Sequence, residues 1–425
     1  MICFDINGGQ PLNGTIRISG SKNAALPAMT AALLSDQPTR LTNVPAIRDV
    51  QAMAEILKAT GAFIDQIDQH TWEISGRGLS NTDIEYLLGR RLRASILLLG
   101  PLLTRFGKIK LPHPGGCVIG KRPVGIHFDA LREMGATIEH EGDFYLGVAD
   151  RLVGASLYLD EISVTATENV IMAAVLAAGQ TTIRPAAMEP HVVNLCQLLV
   201  AMGAKISGIG THTLIIDGVD ALKGTEHQIV SDEIETGTYA VAAAITNGQL
   251  TLTNIPPDLD PIIHKLGLVG VKCELTDSSL VVSRDAELKA TNLQVDTWPR
   301  FPTDLQPQFG VLLTQANGQS SIHEWMYENR LRYTESLAKM GATVSLPDVH
   351  HAEIVGPTPL HGATIDSPDL RSGIAFVLAA LAASGHSTIR YAELILRGYE
   401  DLVGKLKAVG ADIEQSGQAD TNSKE

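Results

Sequence analysis

Apolar and polar positions follow one pattern along this chain. An amphipathic stretch with apolar residues at helical spacing runs into a glycine, usually Gly-Ala, and then into an extended segment of alternating character. The copies are "ILKATGAFI" at Gly61, "LREMGATIE" at Gly135, "LVAMGAKIS" at Gly203, "LGLVGVKCE" at Gly270, "LAKMGATVS" at Gly341 and "LKAVGADIE" at Gly410. Successive glycines lie 67 to 74 residues apart. Each reads as a helix C-cap, where only glycine takes a left-handed backbone at little cost. A second pattern precedes each copy: an Ala/Leu-rich helix, a short polar or glycine break, then a β-rich run. "AAVLAAGQTTIRP" (173–185), "AVAAAITNGQLTLTNIP" (240–256) and "FVLAALAASGHSTIRY" (376–391) are examples. These helices are apolar nearly all round, which implies burial on most sides. The unit is helix–strand–helix–strand with a further strand, repeated six times. Six such units are too long for a solenoid. Two domains of three units each is the simplest packing, an α/β class.

Composition narrows the function. The chain has 425 residues, 44% hydrophobic and 19% charged, with a formal net charge of −14. That balance excludes nucleic acid as a partner, so any bound anion must be met by local cations. No apolar run is long enough to span a membrane, and "MICFDINGGQPLNG" lacks the regions of a secretory signal. Four cysteines without CxxC spacing argue against disulfides and zinc and fit a reducing cytoplasm. Cys3, Cys196 and Cys273 sit in apolar surroundings and read as small buried hydrophobes. Cys117 differs. It lies in "LPHPGGCVIGKRP" (111–123), among glycines and prolines that predict an exposed loop, with Lys121 and Arg122 beside it and Lys108 and Lys110 upstream. Positive charge favours thiolate, so a nucleophile or proton donor near a bound anion is a fitting role. His113 and His127 are close in sequence, but their spacing fixes no catalytic geometry. "GGCVIGKRP" has Arg where a phosphate loop has Ser or Thr, so a nucleotide hydrolase is rejected.

Several motifs then line up in order from Ser19 to Glu400. They are "ISGSKNAALPAMTAALLSDQP", "RASILLLGPLLTRFG", "PGGCVIGKRP", "EIETGTYAVAAAI", "FPTDLQPQF", "ENR" (328–330), "DLR" (369–371) and "RGYE" (397–400). Together they resemble the UDP-N-acetylglucosamine 1-carboxyvinyltransferases, of the enolpyruvyl transferase family. The resemblance implies a two-domain inside-out α/β barrel, six repeated α/β units in pseudo-threefold domains. It places residues 1–21 with 230–425 in one domain, and 22–229, carrying the Cys117 loop, in the other. The implied reaction passes an enolpyruvyl group from phosphoenolpyruvate to the 3-hydroxyl of UDP-N-acetylglucosamine, with no metal and no organic cofactor. Fosfomycin-type epoxides are implied inhibitors.

The residues suit that chemistry. Phosphoenolpyruvate carries a phosphate and a carboxylate and needs several cations. By match to the motifs, Lys22, Asn23, Arg122, Arg371 and Arg397 would grip it. The reaction needs an acid and a base: Cys117 fits the acid and Asp304 the base for the sugar hydroxyl, with Lys22 also catalytic. Asp304 also reads as a helix N-cap before "LQPQF". By the same resemblance Arg93, Arg122, Pro123, Val124, Gly125, Ile126, Glu161, Ile162, Ser163, Val164, Asp304 and Met326 would hold the nucleotide sugar. The chain departs from the family at Gly125 (usually Asp), Glu161 (usually Lys), Glu233 in "SDEIE", Leu396 in "LRGYE" and "ENRLRY". These departures keep two alternatives open: a paralogue with another nucleotide acceptor, and a non-catalytic regulator on the same fold.

Overall fold

The computed structural model describes residues 1–115, 119–120 and 122–417. Cys117 and Lys121 lie outside them. The chain divides into two compact units, one of residues 1–19, 119–120 and 231–417, the other of residues 20–115 and 122–230. The dividing points fall between Ser19 and Gly20 and between Val230 and Ser231. Each unit has its own hydrophobic core.

One sheet design recurs six times. In the second unit, strand Ser156–Tyr158 runs parallel to Gln180–Arg184, which pairs antiparallel with Leu214–Asp217, itself antiparallel to Lys205–Ser207. The same order of one parallel and two antiparallel neighbours recurs in four other sheets. The sixth has three strands, with a single parallel bridge from Asp83 to Lys110 where the fourth would be. Chain order is therefore strand–helix–strand–helix–strand–strand, one short strand more than the sequence pattern implies. That extra strand is three residues long in several copies, too short to show alternation. The N-terminal strand Ile2–Asn7 completes a sheet built from the other end of the chain, between His386–Arg390 and Asp412–Gly417.

Two kinds of helix follow from the two sequence patterns. The amphipathic helices, such as Arg48–Ala59 and Pro190–Ala201, lie before the six glycines. All six glycines have positive φ, from 87° at Gly61 to 106° at Gly203. The apolar helices are buried. In the first unit Glu233–Ile245, Gln306–Thr314 and Leu370–Ala382 pack on one another, with nearly every residue out of solvent. Each carries a glycine where a neighbour comes close. A Cβ on Gly237 would meet Leu305, and one on Gly373 would meet Ser367 and Ile395. In the second unit Leu99–Phe106 packs on Val164–Ala174. No described helix is long and apolar enough to cross a membrane.

Candidate active site

The first unit brings Asp304 and Arg371 together. Asp304 sits in the 3-10 turn Thr303–Leu305 rather than capping the next helix, which begins at Gln306 with no side-chain cap. Its carboxylate is forked between two guanidinium groups: Arg330 Nη2 donates to Oδ1 at 2.7 Å and Arg371 Nη2 to Oδ2 at 2.9 Å. Both arginine side chains are buried, whereas the Asp304 carboxylate is 32% exposed. Arg371 lies in the first turn of the helix Leu370–Ala382, capped by Asp369, which accepts from the N–H groups of Arg371 and Ser372 at 2.8 and 3.1 Å. Burial disfavours the Arg371 charge, but the Asp304 carboxylate overrides it, and the guanidinium pKa is raised. So this cation is fixed in place and fixed in charge.

Around this pair lie further polar groups. Thr303 donates to Glu324 Oε2 at 2.7 Å, and Glu324 Oε1 accepts from the Met326 N–H at 3.1 Å, which ties the Asp304 turn to the Met326 loop. Burial pushes the Glu324 carboxyl up. Asp232 caps the helix Glu233–Ile245 through the N–H groups of Ile234 and Glu235. Its carboxyl is pushed up by burial first and by the Glu233 charge second. Tyr399, in the "RGYE" stretch, bonds Thr238 at 2.8 Å and receives Gln308 Nε2 at 3.3 Å. Arg397 ends the 3-10 turn Ala392–Arg397 and is half-buried.

The second unit holds the other candidates. Lys22 opens the helix Lys22–Ala31, with Asn23 next and no acidic residue in the first turn. A cation beside free helix N–H groups suits an anion. Lys22 Nζ lies 3.3 Å from buried Asp49. Arg93 donates to the backbone carbonyl of Arg122, and Pro123, Val124, Gly125 and Ile126 lead from there into the helix Gly125–Glu133. A Cβ on Gly125 would meet nothing within 4 Å. Glu161 is exposed, whereas Ile162, Ser163 and Val164 are half-buried where the helix Val164–Ala174 begins. Ser163 caps that helix through the Ala166 N–H at 3.4 Å.

Arg330 and Glu168 have no assigned role in the sequence patterns above. Arg330 lies in the quoted "ENR" motif, but its hold on Asp304 spans 26 positions. Glu168 is fully buried, and burial, with Glu189 adding to it and His191 opposing, pushes its carboxyl to about 8. Cys196 is buried, and its thiol is pushed up to about 12 by that burial. Cys3 and Cys273 are only half-buried, a correction to the core reading: Cys3 alternates outward on its strand, and Cys273 lies on the edge strand Lys272–Leu275. Among the described residues no group of three or more His, Cys, Asp or Glu is placed to hold a metal ion.

The EPSP synthase (3-phosphoshikimate 1-carboxyvinyltransferase) family matches residues 6–406. The chain belongs to the enolpyruvyl transferases. It is 44% identical over 97% of its length to the UDP-N-acetylglucosamine 1-carboxyvinyltransferase of Treponema denticola, covering 98% of that protein. It is 46% identical over 96% of its length to the protein of that name from a Wolbachia of Brugia malayi, covering 97% of it. Among solved structures, the enolpyruvyl transferase NikO from Streptomyces tendae matches with a TM-score of 0.88 at 25% identity, over 98% of this chain and 99% of that one. EPSP synthase from Acinetobacter baumannii matches with a TM-score of 0.76 at 21% identity, over 98% and 100%, and is alike in fold. This enolpyruvyl transferase thus has the α/β fold of its family.

Proposed function

We propose that this enolpyruvyl transferase moves the enolpyruvyl group of phosphoenolpyruvate to the 3-hydroxyl of UDP-N-acetylglucosamine and releases phosphate, the first committed step of peptidoglycan precursor synthesis. The observation that carries this reading is the 44% identity, end to end, with a curated enzyme of that activity. The fold we assign is the two-domain inside-out α/β barrel with three repeats per domain; the two packed cores and six like sheets support it.

The residues divide the work. Lys22, Asn23, Arg122, Arg371 and Arg397 bind the phosphate and carboxylate of phosphoenolpyruvate. Asp304, held by Arg330 and Arg371, accepts the proton of the 3-hydroxyl as that oxygen bonds to C2. Cys117 donates a proton to C3. Phosphate then leaves C2 as C3 returns a proton to the Cys117 thiolate, and the double bond re-forms. Arg93, residues 122–126 and residues 161–164 hold the nucleotide. A fosfomycin-type epoxide would be opened by the Cys117 sulfur, with the C–O bond breaking as C–S forms.

A second reading keeps the chemistry and changes the acceptor. Exposed Glu161 and the room beside Gly125 favour it, because a carboxylate near a diphosphate repels where a cation would attract. The test is phosphate release from phosphoenolpyruvate with UDP-N-acetylglucosamine and a panel of other nucleotides. Turnover with UDP-N-acetylglucosamine supports the first reading. Release only with another nucleotide supports the second, and no release with any acceptor leaves the regulator.

A further inference from the structure

Three stretches assigned above to the nucleotide sugar meet at one buried imidazole in the second unit. His127 is 2% exposed and lies on the helix Gly125–Glu133, with its N–H bonded to the Val124 carbonyl at 3.1 Å. Its Nδ1 lies 2.9 Å from Asn169 Nδ2, and its Nε2 lies 3.2 Å from Thr165 Oγ1. Thr165 follows Val164 directly. Asn169 also reaches back toward Arg93: its Nδ2 donates to the Ile96 carbonyl at 2.9 Å and its Oδ1 accepts from the Gly100 N–H at 3.0 Å. Arg93 in turn donates to the Arg122 carbonyl.

The network fixes the tautomer. Asn169 Oδ1 is committed to a backbone donor, so the amide is oriented with Nδ2 toward His127. Nδ2 can only donate. His127 Nδ1 must therefore accept, which leaves the ring proton on Nε2, directed at Thr165. A second ring proton would have no acceptor on the Nδ1 side. Burial, and then the Arg93 charge, disfavour imidazolium as well, and the ring pKa is pushed down to about 3.

We infer that His127, held as its Nε2–H tautomer between Asn169 and Thr165, is a positioning residue for the nucleotide sugar: it sets the spacing of residues 122–126, residues 161–164 and Arg93 without touching the substrate. This rests on the function proposed above. An ordinary core histidine would stabilise the unit alone. A positioning one changes affinity for the nucleotide sugar more than for phosphoenolpyruvate, because Arg122 alone of the candidate phosphoenolpyruvate residues belongs to these stretches, while Lys22 hangs on a different helix, paired with Asp49.

Two measurements test it. In nitrogen-15 histidine spectra of the intact protein, His127 should show the Nε2–H tautomer, unchanged from pH 5 to 9. An Nδ1–H tautomer, or titration near the ordinary value of ~6.5, overturns the inference. Thr165→Val keeps the side-chain shape and removes the acceptor of the Nε2 proton, while Thr165→Ser keeps it. Thr165→Val should raise KM for UDP-N-acetylglucosamine about fivefold, the worth of one hydrogen bond, with KM for phosphoenolpyruvate within about twofold. Thr165→Ser should restore the wild-type value. Equal KM values in Thr165→Val and wild type, or equal losses for both substrates, overturn it. The two readings fail differently. A wild type that turns over UDP-N-acetylglucosamine while Thr165→Val is unaffected sinks the positioning role alone. A wild type that neither binds nor uses that nucleotide sinks the proposed function and the inference with it.

Discussion

At the scale of single residues, Asp304 carries two loads. Its carboxylate neutralises two buried guanidinium groups, and its partly exposed face leaves it open to a substrate proton. Asp304→Asn keeps the shape and one acceptor oxygen but removes the charge. We expect kcat to fall by roughly 10²- to 10⁴-fold, as for loss of a general base. We also expect stability to fall by about 3 kcal/mol, because Arg330 and Arg371 lose their counter-charge. Phosphate release and urea unfolding read the two effects separately; full activity in Asp304→Asn would remove it from the mechanism. Glu168 poses the opposite problem, an acid whose burial favours the neutral form. Its folded pKa, about 8, lies above the value of 4.5 for a free carboxyl, so the folded state holds its proton more tightly than the unfolded chain. Its contribution is whole below pH ~4.5 and is lost progressively as pH rises toward 8. Glu168→Gln has no proton to lose. Unfolding midpoints of the two proteins should diverge from pH 5 to pH 8, with the wild type falling relative to the variant. Parallel midpoints would show that Glu168 is ionised in the folded protein.

At the scale of elements, the glycines separate into two kinds with opposite consequences for alanine. Gly310 lies in the buried helix Gln306–Thr314, and a Cβ there would stand 1.9 Å from the Tyr333 hydroxyl oxygen. That hydroxyl accepts Gln306 Nε2 at 2.8 Å, so it cannot move away without losing a buried bond. Gly310→Ala should cost about 3 kcal/mol in urea unfolding. Gly267 lies in the helix Asp260–Val269, exposed, with nothing within 4 Å of its added Cβ. Gly267→Ala should stabilise by about 0.5–1 kcal/mol. The sequence told the helices apart because one set is apolar all round and the other is amphipathic, and it marked the ends of the amphipathic set by glycines that do adopt positive φ. Caps were legible too in principle: Asp369 and Asp232 each stand one turn or two before an Ala-rich apolar run. What did not show was contact between distant positions. Arg371 meets Asp304 across 67 residues and Arg330 meets it across 26. No local periodicity encodes such a meeting, so the resemblance to a family pointed to Asp304 and Arg371 while Arg330 had no role until the fold placed it.

At the scale of the whole molecule, the two cores are separate, and neither unit is a continuous piece of chain. A chain of 425 residues with two cores need not unfold in one step. The tryptophans offer a way to watch. Trp72 is buried at 1% exposure in the second unit, whereas Trp298 and Trp325 belong to the first. In a Trp298→Phe, Trp325→Phe background, Trp72 emission follows the second unit alone, while far-ultraviolet circular dichroism follows both. Gly310→Ala strains only the first core. In that background it should bring part of the dichroism loss to lower urea and leave the Trp72 midpoint in place. The shift should match a loss of about 3 kcal/mol in the first unit. If the Trp72 midpoint moves by the same amount as the dichroism, the units unfold as one cooperative body. The separation of cores would then be geometric and not energetic.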